Sequence, residues 1–256
     1  MPQRQGSRTN ATLRHNEFEH KANRGDFIIE KNSGVPFSLS KSKRWELLNE
    51  EDNPLPIRKT IPAHMESNSR RSPFWHELLI NEHCTELHLS SNRLTSEGAR
   101  ILAQALETNT FLELLDLTSN RLKDDGVQHL AAAFRLDRHL KYLRLGTNAI
   151  TDAGAEHIAR ILLQNRRLCL LDLSSNELTS RGVITLAQAV PHSCLEYFYI
   201  EGNRQVNDEC IDAIVTMIRQ SNHLKAVSLS NIDFSQKSKL KLRQATKSKP
   251  SYFLYI

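Results

Sequence analysis

Asparagine recurs at a fixed interval along this chain: Asn92, Asn120, Asn148, Asn176 and Asn203, with three steps of 28 residues and a last step of 27. The first four sit in one frame, seen as Leu87-His-Leu89-Ser-Ser-Asn92-Arg-Leu94 and again as Leu115-Asp-Leu117-Thr-Ser-Asn120-Arg-Leu122. The frame returns as Leu143-Arg-Leu145-Gly-Thr-Asn148-Ala-Ile150 and Leu171-Asp-Leu173-Ser-Ser-Asn176-Glu-Leu178. Self-similarity at this period dictates a stack of like units, because one such unit cannot bury its apolar face alone.

Each unit carries two periodicities. Leu-x-Leu has period 2, which predicts a short strand whose leucines point into the stack. The stretch Gly98-Ala99-x-x-Leu102-Ala103-x-x-Leu106 has a period near 3.6 and predicts a helix with one apolar face. It recurs from Gly126, Gly154 and Gly182. Thr95, Asp124, Thr151, Thr179 and Asn207 stand where these helices begin, as capping residues. The unit is therefore strand, turn, helix and return. Helices take more axial room than strands, so the stack curves. The expected fold is an α/β curved solenoid, with parallel strands on the concave face and helices on the convex face.

The ends read differently. Residues 1–70 are expected to be a mostly disordered basic segment, with Pro2, Pro36, Pro54, Pro56 and Pro62 and no sustained period. Within it, Ser42-Lys-Arg-Trp45-Glu-Leu47-Leu48 suits a short amphipathic turn that packs on the repeats or docks to a partner. Residues 71–86 are expected to be an N-terminal helical cap. Phe74, Trp75, Leu78, Asn81 and Cys84 stand 28 residues before Leu102, Ala103, Leu106, Asn109 and Leu112. Residues 87–234 hold six repeats, with Ile232 in the Asn slot of the last. Residues 235–256 are expected to be a basic C-terminal cap, and Phe253-Leu-Tyr255-Ile256 leaves room for a seventh strand.

The pattern Leu-x-x-Leu-x-Leu-x-x-Asn-x-Leu, joined to Gly-Ala-x-x-Leu-Ala-x-x-Leu at a 28-residue period, resembles the ribonuclease-inhibitor-like class of leucine-rich repeats. The same class is similar to the sensing end of NOD-like receptors and the body of Ran GTPase-activating proteins. The resemblance covers roughly residues 74–234. It implies the solenoid fold and a protein-binding role, and on the Ran side regulation of a GTPase. The chain departs from particular members in having four cysteines, no Gly-x-x-x-x-Gly-Lys-Ser/Thr motif and a basic tail.

Charge separates the body from the ends. Residues 73–234 hold 15 basic and 20 acidic groups, whereas residues 235–256 hold 6 basic and none acidic. A whole-chain excess of +5 therefore does not make the repeat body a nucleic-acid platform. Nucleic acid, a membrane surface or another acidic surface remains a reading for the basic termini alone. The run Lys237-Ser-Lys-Leu240-Lys-Leu242-Arg243 to Lys249 also suits a capping helix or a nuclear-import-like patch, and its leucines favour the cap. The four cysteines lack disulfide or Cys-x-x-Cys spacing, the Met1 end lacks a signal-peptide pattern, and no apolar run reaches bilayer length. The expectation is a protein that is not transmembrane, in the cytoplasm with the nucleus open to it.

Function is expected on the concave strands. The central row reads His88, Asp116, Arg144, Asp172 and Tyr199, and the row two residues earlier reads Glu86, Leu114, Tyr142, Leu170 and Tyr197. Tyr and Arg flanked by Leu have the composition of a protein–protein hot spot. The Asn ladder reads as structural: a buried amide satisfies backbone groups at each turn. Asn148, with regular repeats on both sides, is expected to matter more than Asn203 beside an irregular turn. No catalytic constellation, metal-ligand spacing or cofactor motif is found, so no enzyme, small-molecule substrate, cofactor or metal is expected. The sequence thus reads as a protein-binding adaptor or scaffold. Its alternatives are a GTPase regulator and a tether acting through the basic termini.

Overall fold

The computed structural model describes residues 58–60, 83–134, 139–247, 249 and 251–256. The helix expected around Phe74–Asn81, the Trp45 island and the rest of residues 1–57 lie outside them. The described chain forms one parallel sheet in sequence order: β1 (Arg58–Thr60), β2 (Glu86–His88), β3 (Leu114–Asp116), β4 (Tyr142–Arg144), β5 (Leu170–Asp172), β6 (Tyr197–Tyr199), β7 (Ala226–Ser228) and β8 (Phe253–Tyr255). Among the described residues, six helices run between the strands: α1 (Ser96–Leu106), α2 (Lys123–Phe134), α3 (Asp152–Gln164), α4 (Ser180–Ala189), α5 (Ile211–Gln220) and α6 (Gln236–Thr246). The result is a curved solenoid with strands on the concave wall and helices on the convex wall. Strand β1 precedes the first strand visible as a repeat in the sequence, and β8 follows the last.

The core lies between the two walls. Leu87, Leu115, Leu143 and Leu171 are fully buried, with Phe198 and Val227 in the same slot further on. Leu102, Leu130, Ile158, Leu186 and Ile214 meet them from the helices, and all belong to one continuous apolar cluster. Each such side chain contributes about 1.5–3 kcal/mol by leaving water. At the C-terminal end α6 buries Leu242 but leaves Leu240 54% exposed, so only one of the two leucines packs inward.

Strands of three residues leave many backbone groups at each turn to satisfy, and the asparagines do this. Asn148 Nδ2 donates to the carbonyls of Leu117 (2.9 Å), Leu145 (3.1 Å) and Gly146 (3.1 Å). Asn176 Oδ1 accepts from the N–H groups of Asn148 (2.9 Å) and Ile150 (3.1 Å). Each amide therefore closes its own turn and ties down the turn before it. To aim the side chain inward, the preceding residue takes a left-handed backbone: Ser119 (φ 57°), Thr147 (57°), Ser175 (54°) and Gly202 (71°).

Two further ladders run along the stack. At the helix-to-strand turns, Asn109 Oδ1 accepts from Phe111 and Leu112 N–H, and Asn165 Oδ1 accepts from Arg167 and Leu168 N–H. Ser193 Oγ takes the same place 28 residues on, accepting from Leu195 N–H. At the helix starts, Asp124 Oδ1 accepts from Thr151 N–H (2.8 Å) and Gly154 N–H (2.9 Å), while Oδ2 accepts from the Thr151 hydroxyl (2.7 Å). Asp152 repeats this on Thr179. These aspartates thus serve the next helix in the stack, where the sequence suggested a cap for their own. Two carboxylates at helix N-termini also complement the helix dipoles.

Burial does not separate Asn148 from Asn203. Both are 0% exposed, and Asn203 bonds Leu178 N–H, Leu173 O and Ile200 O at 2.8–3.1 Å. The irregular turn after Asn203 changes the chain path without loosening the amide. Asn148→Ala and Asn203→Ala are each expected to cost about 1–3 kcal/mol, through backbone groups left buried and unpaired. Urea midpoints at unchanged m-value check this, and a shift confined to Asn148→Ala contradicts it.

Candidate functional site

Alternation along each strand puts one residue in the core and its two neighbours on the concave face. Parallel register then aligns those neighbours in two rows. One row runs Glu86, Leu114, Tyr142, Leu170, Tyr197 and Ala226, and the other His88, Asp116, Arg144, Asp172, Tyr199 and Ser228. Successive members of a row are spaced by about 4.8 Å. All ten residues expected on the binding face are therefore gathered on one surface, though not all at the same depth.

The first row has a floor and walls. Leu114 and Leu170 are only 1% and 2% exposed, and form a small apolar cluster, separate from the main core, with Tyr142, Tyr197 and Tyr199. The outer layer of this row is thus tyrosine, with leucine beneath it. Burial, reinforced by Cys169, Glu113, Glu196 and Tyr197, pushes the Tyr142 phenol up to about 12. Burial raises Tyr197 as well. Both hydroxyls stay protonated at neutral pH. Burial is also the main cause that raises the Cys169 thiol, ahead of Glu196 and Cys194, which disfavours the reactive thiolate.

The second row is a charge network at its β2–β4 end. His88 Nε2 lies 3.4 Å from Glu86 Oε2, and His88 Nδ1 lies 3.9 Å from Asp116 Oδ2. Arg144 Nη1 approaches the same Asp116 oxygen at 3.7 Å. Glu86 and Asp116 are both buried by this arrangement. Burial works to raise the Asp116 pKa, but hydrogen bonds from His88 and Thr118 and the Arg144 charge outweigh it and hold the carboxyl below its ordinary value.

Asp172 differs. In the row Arg144 stands between Asp116 and Asp172. In the structure Arg144 leans to Asp116, and Asp172 has no ion pair among the described residues. Its Oδ1 accepts from Ser174 N–H (2.8 Å) and the Ser174 hydroxyl (2.5 Å).

A flanking row escaped the sequence reading. Glu113, Lys141, Cys169, Glu196 and Lys225 occupy the slot just before strands β3 to β7. Lys141 pairs with Glu113 at 2.9 Å and Lys225 with Glu196 at 2.7 Å. The signal was present in the 28-residue spacing, but charged residues outside Leu-x-Leu carry no apolar period to draw attention. Among the described residues no group of His, Cys, Asp or Glu could hold a metal ion, and no helix is long and apolar enough to cross a membrane.

Because the folded-state pKa of Asp116 is lowered, its stabilisation is present above the unfolded value, near pH 4, and is lost as pH falls through the lower folded value. Stability measured by urea unfolding from about pH 5 to pH 3 should therefore fall, and Asp116→Asn should flatten part of that fall. An unchanged acid limb in Asp116→Asn means the carboxylate is not held by the network.

A family model described as Leucine Rich repeat matches residues 81–103, 108–131, 137–159 and 165–187. No curated protein matches the chain. Among solved structures, the tropomodulin C-terminal domain of Caenorhabditis elegans is 19% identical, with a TM-score of 0.51 over 59% of this chain and 90% of that one. The structure described as leiomodin-1 actin-binding site 2 is 14% identical, with a TM-score of 0.52 over 58% of this chain and 86% of that one. At these identities the likeness is one of fold.

Proposed function

Because its repeats are leucine-rich repeats, we propose that the chain is a protein-binding adaptor or scaffold that uses its concave strand face, with Tyr142, Arg144 and Tyr197 as principal anchors. The observation that carries this reading is the tyrosine surface laid over a leucine floor on a sheet whose interior turns are tied to their neighbours by asparagine. Half-buried aromatics and arginine are the side chains that most often dominate protein interfaces. A sheet fixed in this way loses little conformational entropy when a partner docks. The convex helices offer a different surface: Glu97 pairs with Arg100 in the open at 2.7 Å, an arrangement that contributes little binding energy. The leiomodin-1 structure of the same fold is described as an actin-binding site. Its 14% identity carries the architecture to this chain and leaves the partner to be identified here.

The test begins with affinity capture on the full chain. Replacing Tyr142, Arg144 and Tyr197 together by Ala, with folding verified by circular dichroism, should weaken the captured complex by on the order of a hundredfold or more. The competing reading places binding at the basic ends, where Lys237, Lys241 and Lys247 are exposed on or just after α6. If the triple variant binds normally while Lys237→Gln, Lys241→Gln and Lys247→Gln together abolish binding, the repeats act as a spacer and the concave reading fails.

A further inference from the structure

The sheet has two edges, and they are built differently. At one edge β1 is Arg58-Lys59-Thr60, set between Pro56 and Pro62 in the sequence. Charged residues and prolines are the usual means of keeping a strand edge from pairing with another chain. At the other edge, the run Tyr252-Phe-Leu254-Tyr-Ile256 around β8 carries no charged side chain and no proline. No described strand lies beyond it.

The ladder shows which groups that edge leaves over. The carbonyl just before a strand accepts from the strand that follows: Lys141 O from Leu170 N–H (3.0 Å), Glu196 O from Ala226 N–H (3.0 Å) and Lys225 O from Phe253 N–H (2.8 Å). Just after the strands, Ile200 N–H donates to Ser228 O (3.1 Å) and Leu229 N–H to Tyr255 O (2.7 Å). The Tyr252 carbonyl and the Ile256 N–H fill the same two slots in the last unit. Phe253 and Tyr255 direct their groups to β7, so alternation turns the N–H and C=O of Leu254 outward as well. The inward slot agrees: Leu143, Leu171, Phe198 and Val227 are fully buried, whereas Leu254 in the same slot is only half-buried.

The helix layer closes the stack to another repeat. A Cβ added at Gly126 would lie 3.4 Å from Ala99 Cβ, so the Ala99 slot of each helix faces the helix that follows. Val183 and Ile211 fill this slot in α4 and α5, with Ala187 and Val215 one turn on, and all four are buried. In α6 the two slots hold Lys239 and Arg243, both half-buried and neither in an ion pair among the described residues. A second copy meeting this end through its own β8 sets like charges against each other. We propose that an extended segment of a partner protein, carrying apolar and acidic side chains, adds to the sheet along the outer edge of β8. Its backbone bonds the outward groups of Tyr252, Leu254 and Ile256, its apolar side chains cover Leu254, and its carboxylates meet Lys239 and Arg243. Residues 235–256 hold 6 basic and no acidic groups, so charge favours an acidic segment over a basic one. This site is additional to the concave face and does not depend on it.

The probe is a fluorescein-labelled peptide repeating two valines and two glutamates, which sets both types on each face of a strand. It is titrated with the full chain and followed by anisotropy. A second peptide carries glutamine in place of glutamate, and a third is the first with every backbone nitrogen methylated. The expected result is saturable binding of the glutamate peptide, about tenfold or more tighter than the glutamine peptide, and none of the methylated one. Lys239→Gln with Arg243→Gln should weaken it about tenfold. Lys237→Gln with Lys241→Gln removes as much charge from the exposed side of α6 and should change it less than about twofold. Leu254→Pro takes away one outward N–H that β7 does not use and should weaken binding about tenfold, with folding verified by circular dichroism. Equal losses in the two charge pairs overturn the proposal in favour of diffuse attraction. Undiminished binding of the methylated peptide overturns strand addition. Loss in the Tyr142, Arg144 and Tyr197 triple variant, with Leu254→Pro binding normally, places the peptide on the concave face and overturns this site alone. No saturable binding overturns it outright, and a dimer of the full chain that dissociates in Leu254→Pro makes a second copy the occupant instead.

Discussion

The structure depends on a buried amide. A strand of three residues forms few ladder bonds before the chain must turn, and every turn sits against another repeat, away from water. Unpaired carbonyls and N–H groups there would each cost a kilocalorie or more. Asparagine answers this because one short side chain both donates and accepts. Asn120 shows the economy: Nδ2 donates to Leu89 and Leu117 carbonyls, and Oδ1 accepts from Asn92 and Leu94 N–H. The bond set crosses from one repeat to the previous one, so local turn geometry and stacking are the same interaction. That is why the spacing of a single residue type predicts a whole architecture.

The same constraint shapes the concave face. Tying each turn holds each strand in register with its neighbours, and register makes rows. Leu114, Tyr142 and Leu170 are far apart in sequence but adjacent in space because each lies at the same offset from its own asparagine. The 27-residue step from Leu170 to Tyr197 does not break the row, since the sheet pairs Leu170 with Tyr197 and Tyr197 with Ala226. The chain absorbs the length differences outside the strands, one residue fewer between Ser193 and Leu195 and one more between Asn203 and Val206. A binding surface on such a scaffold can change residue by residue without disturbing what holds it up.

What could be read from the sequence follows from where periodicity is expressed. Leu87, Leu115 and Leu143 announced the core, and the glycine-led helices announced the convex wall, because both repeat an apolar pattern. Polar ladders were legible only where one residue type persisted. Asn148 was visible in that way, whereas Asp124 was taken for a cap on its own helix, because a sequence cannot show that a carboxylate reaches across to the next repeat. The membership of the concave rows was also legible, since alternation fixes which side chains face outward. Depth was not. Leu114 and Leu170 look like surface anchors in a row listing, and only packing shows that the tyrosines beside them are long enough to cover them. Arg144 likewise stood between two aspartates in sequence order, and rotamer choice broke the symmetry.

That broken symmetry divides the labour across the face. At the β2–β4 end the charges satisfy one another, so a docking molecule gains little there beyond shape and must not strip Asp116 of its partners. At the β4–β6 end the tyrosines offer apolar area, their hydroxyls stay protonated, and the Asp172 carboxylate has both its hydrogen bonds among the described residues on one oxygen. Apolar area supplies most of the energy of an interface, and an unmatched charge mainly sets which partner is accepted. Asp116 therefore belongs to the fold even though it lies on the concave surface. Asp172, in the same row and with the same flanking leucines, is spared by the lean of Arg144. The lean of one arginine is what separates an aspartate held in a charge network from one with no ion pair among the described residues.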